Sequence, residues 1–212
     1  MTTGGKTQAE LTPVEVAIRG RRSVRRYEER AVPRELILRV LDSARWAPSA
    51  VNRQPWHFVV VTEAERRAVL AQATAIAGMA LMRHVTQAPV LIALCGDERR
   101  SPAWYVHDCS LASENLMLAA HALGLGTCWV GAFDEGKAAQ ALGIPEGIRV
   151  VGLITLGYPA KKEKAPTPRV PLDEVVHWEA FKDGAGVSLL GSFRRGRISL
   201  WGRLTDFLGW GK

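Results

Sequence analysis

Residues 107–123 set the tightest limit on what this chain can fold into. They read as a helix that is apolar nearly all round, with Leu111, Leu116, Met117, Leu118, Ala119, Ala120, Ala122 and Leu123 spread over its faces. A helix with no solvated face must be covered on several sides, so it belongs at the centre of a domain or in a subunit interface. Gly124 and Gly126 follow and are expected to end it by C-cap geometry. The chain can supply the cover: of its 212 residues 47% are hydrophobic and 23% charged, which excludes disorder over most of its length. Apolar runs such as 90–95 and 150–156 are too short to cross a bilayer, and residues 1–8 hold no apolar stretch of signal-peptide length. A cytoplasmic protein is expected.

Other elements are marked by pattern and punctuation. Thr12 then Pro13 is a helix start, with threonine as N-cap and proline at the first helical position, opening a helix over about 14–21. Pro33 announces a second helix, in which Leu36, Ile37, Val40, Leu41 and Ala44 recur at helical spacing and which stops before Pro48. Residues 58–62, 90–95, 128–130 and 150–156 read as buried strands, and 71–84 as a loose helix. Helices and strands interleave without strict βαβ regularity, which gives an α+β class. Residues 1–11 are expected to be a flexible lead-in, 12–183 one compact domain, and 184–212 a basic amphipathic extension.

Charge and cysteine usage narrow the function. Of the formal net charge of +7, a net +4 lies in the tail, from Arg194, Arg195, Arg197, Arg203 and Lys212 against Asp206. The remainder is near balance, so nucleic acid is not an expected partner. Cys95, Cys109 and Cys128 form no CxxC pair and read as reduced, buried and structural. The histidines show no metal-ligand spacing, no metal is expected, and His107-Asp108 reads as a helix cap and interface contact. No GxSxG elbow supports a hydrolase reading of Ser23 or Ser49.

Two segments carry chemistry. Arg21-Arg22-Ser23-Val24-Arg25 places three guanidinium groups and a hydroxyl at a helix end. Guanidinium forks match phosphates and planar oxyanions, so the segment suits a phosphorylated ligand; it also suits a solvated basic helix end. In the second, Pro48-Ser49-Ala50-Val51-Asn52-Arg53-Gln54-Pro55-Trp56, two prolines stiffen a loop that displays Ser49, Asn52 and Gln54. Such a loop could bond the edge of a heteroaromatic ring, or be an ordinary stiff turn.

The order and spacing of these segments, followed by Gly124-Leu125-Gly126-Thr127-Cys128-Trp129-Val130-Gly131, then Gly157-Tyr158-Pro159 and Arg169-Val170-Pro171-Leu172-Asp173-Glu174, resemble the FMN-dependent nitroreductase family over roughly residues 14–179. The resemblance implies a nitroreductase-like fold, a central mostly antiparallel sheet flanked by helices, in an intertwined homodimer with FMN at the subunit interface. It implies that Arg21 and Ser23 hold the phosphate and ribityl region, with Arg22 adding to the same site. Arg25 would lie near the flavin N1 and C2 carbonyl, where a cation stabilises the reduced ring. It further implies that Pro48, Ser49 and Ala50 reach the flavin from the partner subunit with Asn52 and Gln54 nearby. Trp129, Val130 and Gly131 would supply backbone beside the ring, and Arg169 would return to the phosphate. The apolar helix then becomes the dimer's central helix.

The activity implied is reduction of nitroaromatic, quinone or similar small acceptors with NADH or NADPH, by ping-pong hydride transfer in one pocket with no catalytic side-chain acid or base. Alternatives are a specialised flavin dehydrogenase or dehalogenase on the same fold, and a non-enzymatic flavin-binding or membrane-associated module recruited through the tail. Residues 71–84 fall where the family places its substrate lid; they lack the Glu, Tyr and Lys set of deiodinase-type members, so iodotyrosine is not an expected substrate. In the tail, Trp201, Leu204 and Leu208 suit an amphipathic helix, either packed on its own dimer or, through 194–212, in weak contact with an anionic membrane surface. Packing on protein is the expected placement.

Overall fold

A computed structural model describes residues 10–76, 79–80, 82–161 and 167–181. The expectations for residues 1–9 of the lead-in, for 77–78 and 81 of the lid, and for the tail from 184 on lie outside the described residues. Two compact units, Met1–Pro166 and Thr167–Lys212, are described separately. The first unit opens with α1 (Pro13–Gly20), α2 (Arg34–Ala44), β1 (Trp56–Val61), α3 (Ala64–Gln72), β2 (Ala75–Ile76), β3 (Met79–Ala80) and α4 (Arg83–Gln87). It continues with β4 (Val90–Asp97), α5 (Tyr105–Ala122), β5 (Gly126–Val130), α6 (Glu135–Leu142) and β6 (Ile148–Gly157).

The expected α+β architecture is present. β1, β4, β6 and β5 form a four-stranded sheet in that order, antiparallel at every pairing. β4 is buried along its whole length because helices cover both faces. On one side Val90, Ile92, Ile154 and Leu156 pack with Ile37, Val40, Leu116 and Ala120 of α2 and α5. On the other, Leu91, Ala93, Cys95 and Leu153 pack with Leu70, Val85 and Ala138 of α3, α4 and α6. Full burial on two faces is why these strands are continuous apolar runs rather than alternating ones.

Several local expectations are corrected. The 58–62 strand is an edge strand, paired only with β4; it stops at Val61, and Val60 is exposed. Residues 71–84 are not one helix: α3 stops at Gln72, the Thr74 hydroxyl donates to the Ala71 carbonyl at 2.7 Å, and β2 and β3 pair as a short hairpin before α4. A hydroxyl that bonds the preceding turn competes with helix continuation. The apolar helix begins at Tyr105 with Trp104 as N-cap, so Asp108 lies inside the first turn and does not cap it. Its end is as expected at Gly124, φ 75°, where the Gly124 and Leu125 N–H groups donate to His121 and Ala120 carbonyls in a Schellman motif. Gly126 has a different part to play, as the first residue of β5.

α1 starts as the sequence predicts. The Thr12 hydroxyl accepts from Glu15 N at 3.3 Å, and the Glu15 carboxylate accepts from Thr12 N at 2.8 Å, a reciprocal capping box. All three cysteines are free and buried, and burial raises the Cys95 thiol to about 11 and the Cys109 thiol to about 12. Among the described residues no helix is long and apolar enough to cross a membrane. In the second unit α7 (Leu172–Val175) is a single turn, preceded by Arg169, whose Nη1 donates to the Thr167 carbonyl at 3.2 Å and to the Thr167 hydroxyl at 3.0 Å.

Candidate active site

The arginine segment is sewn to the sheet. Ser23 bridges Thr127 in parallel, Val24 N donates to the Thr127 carbonyl at 2.8 Å, and Tyr27 bridges Pro159, so residues 23–27 run beside β5 and the end of β6. Two side-chain features fix this course. The buried Tyr27 hydroxyl donates to the Val24 carbonyl at 2.6 Å and shares a 2.6 Å hydrogen bond with the Thr155 hydroxyl. Gly126 lets Val24 lie flat on β5, since a Cβ there would collide with the Val24 side chain. The neighbouring helix is equally close: Gly20, at the end of α1, faces the His121 imidazole of α5.

This stitching aims the guanidinium groups. Arg21 and Arg22 are half-buried and line a cleft of about 370 Å³ with Glu28, Arg30, His121, Lys161 and residues 124–127. Arg22 Nη1 donates to the Arg19 and Arg21 carbonyls at 2.6 and 2.7 Å, serving the open end of α1. Arg21 has a loose ion pair with Glu114, 3.7 Å away, and the Nε atoms of both Arg21 and Arg22 are buried without a hydrogen-bond partner. Buried donors of this kind are rare unless something binds them. Ser23 and Arg25 are exposed at the surface of the same strand.

Positive charge predominates around the segment, with Glu28 on the cleft wall and Glu114 beside Arg21 as the acids. Burial first, and the charges of Arg22 and Arg21 second, hold His121 below the usual imidazole range, so a neutral ring faces the cleft. His84 on α4 is lowered in the same way, by burial and then by Arg25. Burial pushes the Cys128 thiol up, opposed by Arg25, Ser23 and Arg21. Fixed positive charge of this kind attracts an anionic ligand.

Trp129 and Val130 close β5, the strand that carries Thr127, the anchor of the arginine segment, and Gly131 follows directly after it. Trp129 is partly buried: its ring covers Gly152 of β6 and packs against the cores under α5, which leaves main chain as the polar surface of that strand end.

Pro48, Ser49, Ala50, Asn52 and Gln54 lie in the loop between α2 and β1. It contains a short 3-10 turn, and Val51, Asn52 and Gln54 all adopt positive φ, at 50°, 54° and 48°. For a β-branched residue such as Val51 that is a strained conformation. The Ser49 hydroxyl accepts from Gln54 N at 3.0 Å, and Gln54 Nε2 donates to the Asn52 carbonyl and side-chain oxygen at 3.2 and 3.1 Å. Among the described residues no hydrogen bond or ion pair joins this loop to residues 21–25 of the same chain. The structure thus lays residues 21–25 beside β5, which carries Trp129 and Val130, while the loop is bonded to α5 through Asp108 and its flanks Ala47 and Trp56 pack in one cluster with Trp129. Arg169 is in the second unit.

Sequence reasoning missed what holds the loop. Asp108 of α5, 3% exposed, accepts from Ala50 N at 2.9 Å through one carboxylate oxygen and from the Ser101 hydroxyl at 2.9 Å through the other. The available signal was an acid inside an otherwise apolar helix, which needs buried donors.

The nitroreductase family profile matches residues 18–158, and the chain belongs to that family. A protein of Methanothermobacter thermautotrophicus named NADH dehydrogenase/NAD(P)H nitroreductase is 42% identical over 151 residues, covering 68% of this chain and 76% of the relative. A crystal structure named for the same activities, from Parabacteroides distasonis, superposes with TM-score 0.75 at 29% identity, over 81% of this chain and all of that one. An FMN-dependent nitroreductase from Clostridium difficile R20291 superposes with TM-score 0.69 at 28% identity, over 78% of this chain and 98% of that one.

Proposed function

We propose that this chain is an FMN-dependent oxidoreductase that uses NADH or NADPH to reduce nitroaromatic, quinone or similar small acceptors, working as a homodimer. The observation that carries the reading is the arginine segment, held against β5 with two buried guanidinium nitrogens unpartnered. That donor set fits the phosphate of FMN, and it agrees with the FMN dependence named for the Clostridium difficile structure. Arg21 and Ser23 hold the phosphate and ribityl end, with Arg22 contributing charge beside them. Arg25 sits two residues further along the same strand and offers a fixed cation to the pyrimidine end of the ring.

Bound FMN supplies two-electron redox chemistry at its ring, and nicotinamide and acceptor use one pocket in turn. The protein's own part is orientation and electrostatics. The main chain of Trp129, Val130 and Gly131 lines the ring edge because the Trp129 side chain is turned into the core. Ser49, Asn52 and Gln54 offer hydroxyl and amide groups to the partner's flavin. That no hydrogen bond or ion pair joins this loop to residues 21–25 of the same chain among the described residues supports a shared site, as does the exposure of Val14, Ile18 and Leu111.

The test is an absorbance spectrum of the purified full chain, reconstituted with FMN and then treated anaerobically with NADH or NADPH. Flavin absorption that bleaches with one or both nucleotides is expected, followed by re-oxidation on adding a quinone. A protein that takes up no FMN, or a bound flavin that neither nucleotide reduces, overturns the proposal.

A further inference from the structure

Asp108 is a buried carboxylate that forms no ion pair among the described residues, and its two oxygens are spent on two neutral donors. Burying a charge in this way is costly and persists where the geometry it enforces matters. Its partners name that geometry. Ser101 belongs to the turn that precedes α5 and fixes the carboxylate's rotation from the N-terminal side of that helix. Ala50 is 58 residues away in sequence, at the start of the strained turn. Downstream of it, Asn52 N donates to the Ser49 carbonyl, Arg53 N to the Ala50 carbonyl and Gln54 N to the Ser49 hydroxyl, so the turn is bonded to itself. Its ties to the body are the Ala50–Asp108 bond at the start, the Arg53 side chain on the Arg100 carbonyl, and the Pro55 carbonyl accepting from Asp97 N at the end. Three consecutive-region residues at positive φ do not stay there unless the surroundings over-determine them.

We propose that Asp108 is a positioning residue: through the Ala50 N–H it holds residues 48–54 in the strained form that presents Ser49, Asn52 and Gln54 to the flavin. The inference rests on the flavin reading for what the loop serves, and on the hydrogen bonds alone for how the loop is held. It assigns a function to the one acid that the apolar helix buries in its first turn. It also explains why α5 carries it at that point, opposite the loop. Asp108 touches neither flavin nor substrate in this scheme and acts only through Ala50.

Three variants of the full chain test it. Asp108→Ala removes the acceptor, and Ala50→Pro removes the donor from the other end of the same bond. Asp108→Asn keeps both contacts, because its carbonyl oxygen accepts from Ala50 N and its amide donates to the Ser101 oxygen. Amide hydrogen exchange over residues 50–54, without flavin, is expected to speed up roughly tenfold or more in Asp108→Ala and Ala50→Pro and to stay near wild type in Asp108→Asn. With FMN added, the first two should bind roughly tenfold more weakly and show an altered visible circular dichroism of the flavin, and Asp108→Asn should restore both. Unchanged exchange in Asp108→Ala overturns the proposal. So does a loosened loop that leaves FMN affinity and the flavin dichroism as in wild type, since the acid would then be holding structure only. A wild-type protein that binds no FMN would remove the flavin reading, and the exchange comparison would still decide whether Asp108 holds the loop.

Discussion

Arg21 and Arg25 sit four residues apart on one extended segment, and their different surroundings underlie the different roles proposed for them. Arg21 is half-buried, its Nε has no hydrogen-bond partner, and its carboxylate neighbour Glu114 is at the edge of ion-pair range. A charged donor in that state gains most from an anion that completes its shell. Hydrogen bonds to charged groups contribute roughly 1.5–3 kcal/mol, so Arg21→Ala should weaken FMN binding by roughly 10- to 100-fold. Arg21→Lys should recover only part of this, because an ammonium cannot reproduce the guanidinium fork. Arg25 is exposed and already bonded only weakly, at 3.5 Å, to the Ser23 carbonyl. Its loss should leave binding largely intact and make the flavin harder to reduce, by up to about 30 mV, the equivalent of roughly 1.4 kcal/mol in a two-electron couple. Fluorescence titration measures the first effect and spectroelectrochemistry the second. Identical behaviour of the two variants in both assays would show that the division of labour is wrong.

At the level of elements, the site depends on how closely the arginine segment lies on β5, and Gly126 controls that distance. Val24 is 3% exposed and β-branched, so it has little room to turn away from a Cβ on Gly126. Gly126→Ala should therefore cost about 1–3 kcal/mol by overpacking and loosen FMN with it, whereas Val24→Ala with Gly126→Ala should recover more than the separate effects allow. Urea unfolding of the four proteins closes the cycle; strict additivity would mean that the two residues do not meet. The same element shows why part of this molecule is legible in its sequence. β4 and β6 are recognisable because burial on both faces demands unbroken apolar runs, and the end of α5 because a left-handed C-cap demands Gly124. α3 and α6 are not, because each buries only one or two residues and shows the sequence little stripe; α6 is marked chiefly by its Asp134 and Gly143 caps. The arginine, loop and glycine segments are legible as a candidate site through their order and spacing, since the arginine segment alone also suits a solvated helix end and the loop alone a stiff turn. The Asp108–Ala50 bond is not, because it depends on how α5 lies against a loop 58 residues earlier, which no local pattern encodes.

For the whole molecule, the unexplained feature is α1. Its capping box fixes a helix with no fully buried residue: among the described residues Val14 is 65% exposed and Ile18 53%, one turn apart on one face. α1 lies by the solvent side of α5, where Leu111 is also 48% exposed, and the Arg21–Glu114 pair ties the two together. Apolar residues gathered on adjoining helices are the mark of an interface, and here the interface would adjoin the arginine cleft. Val14→Glu with Ile18→Glu should therefore split the proposed homodimer, each buried carboxylate being unpaired there. Sedimentation should report a particle of 23.2 kDa in place of twice that mass. Val69→Glu, on the exposed face of α3, should leave the dimer alone. If each flavin is held by the arginines of one chain and the loop of the other, FMN affinity must fall together with dimerisation and recover when protein concentration drives reassociation. A monomer that keeps its flavin at wild-type affinity would mean that one chain builds a whole site, and the loop would then have to serve its own subunit.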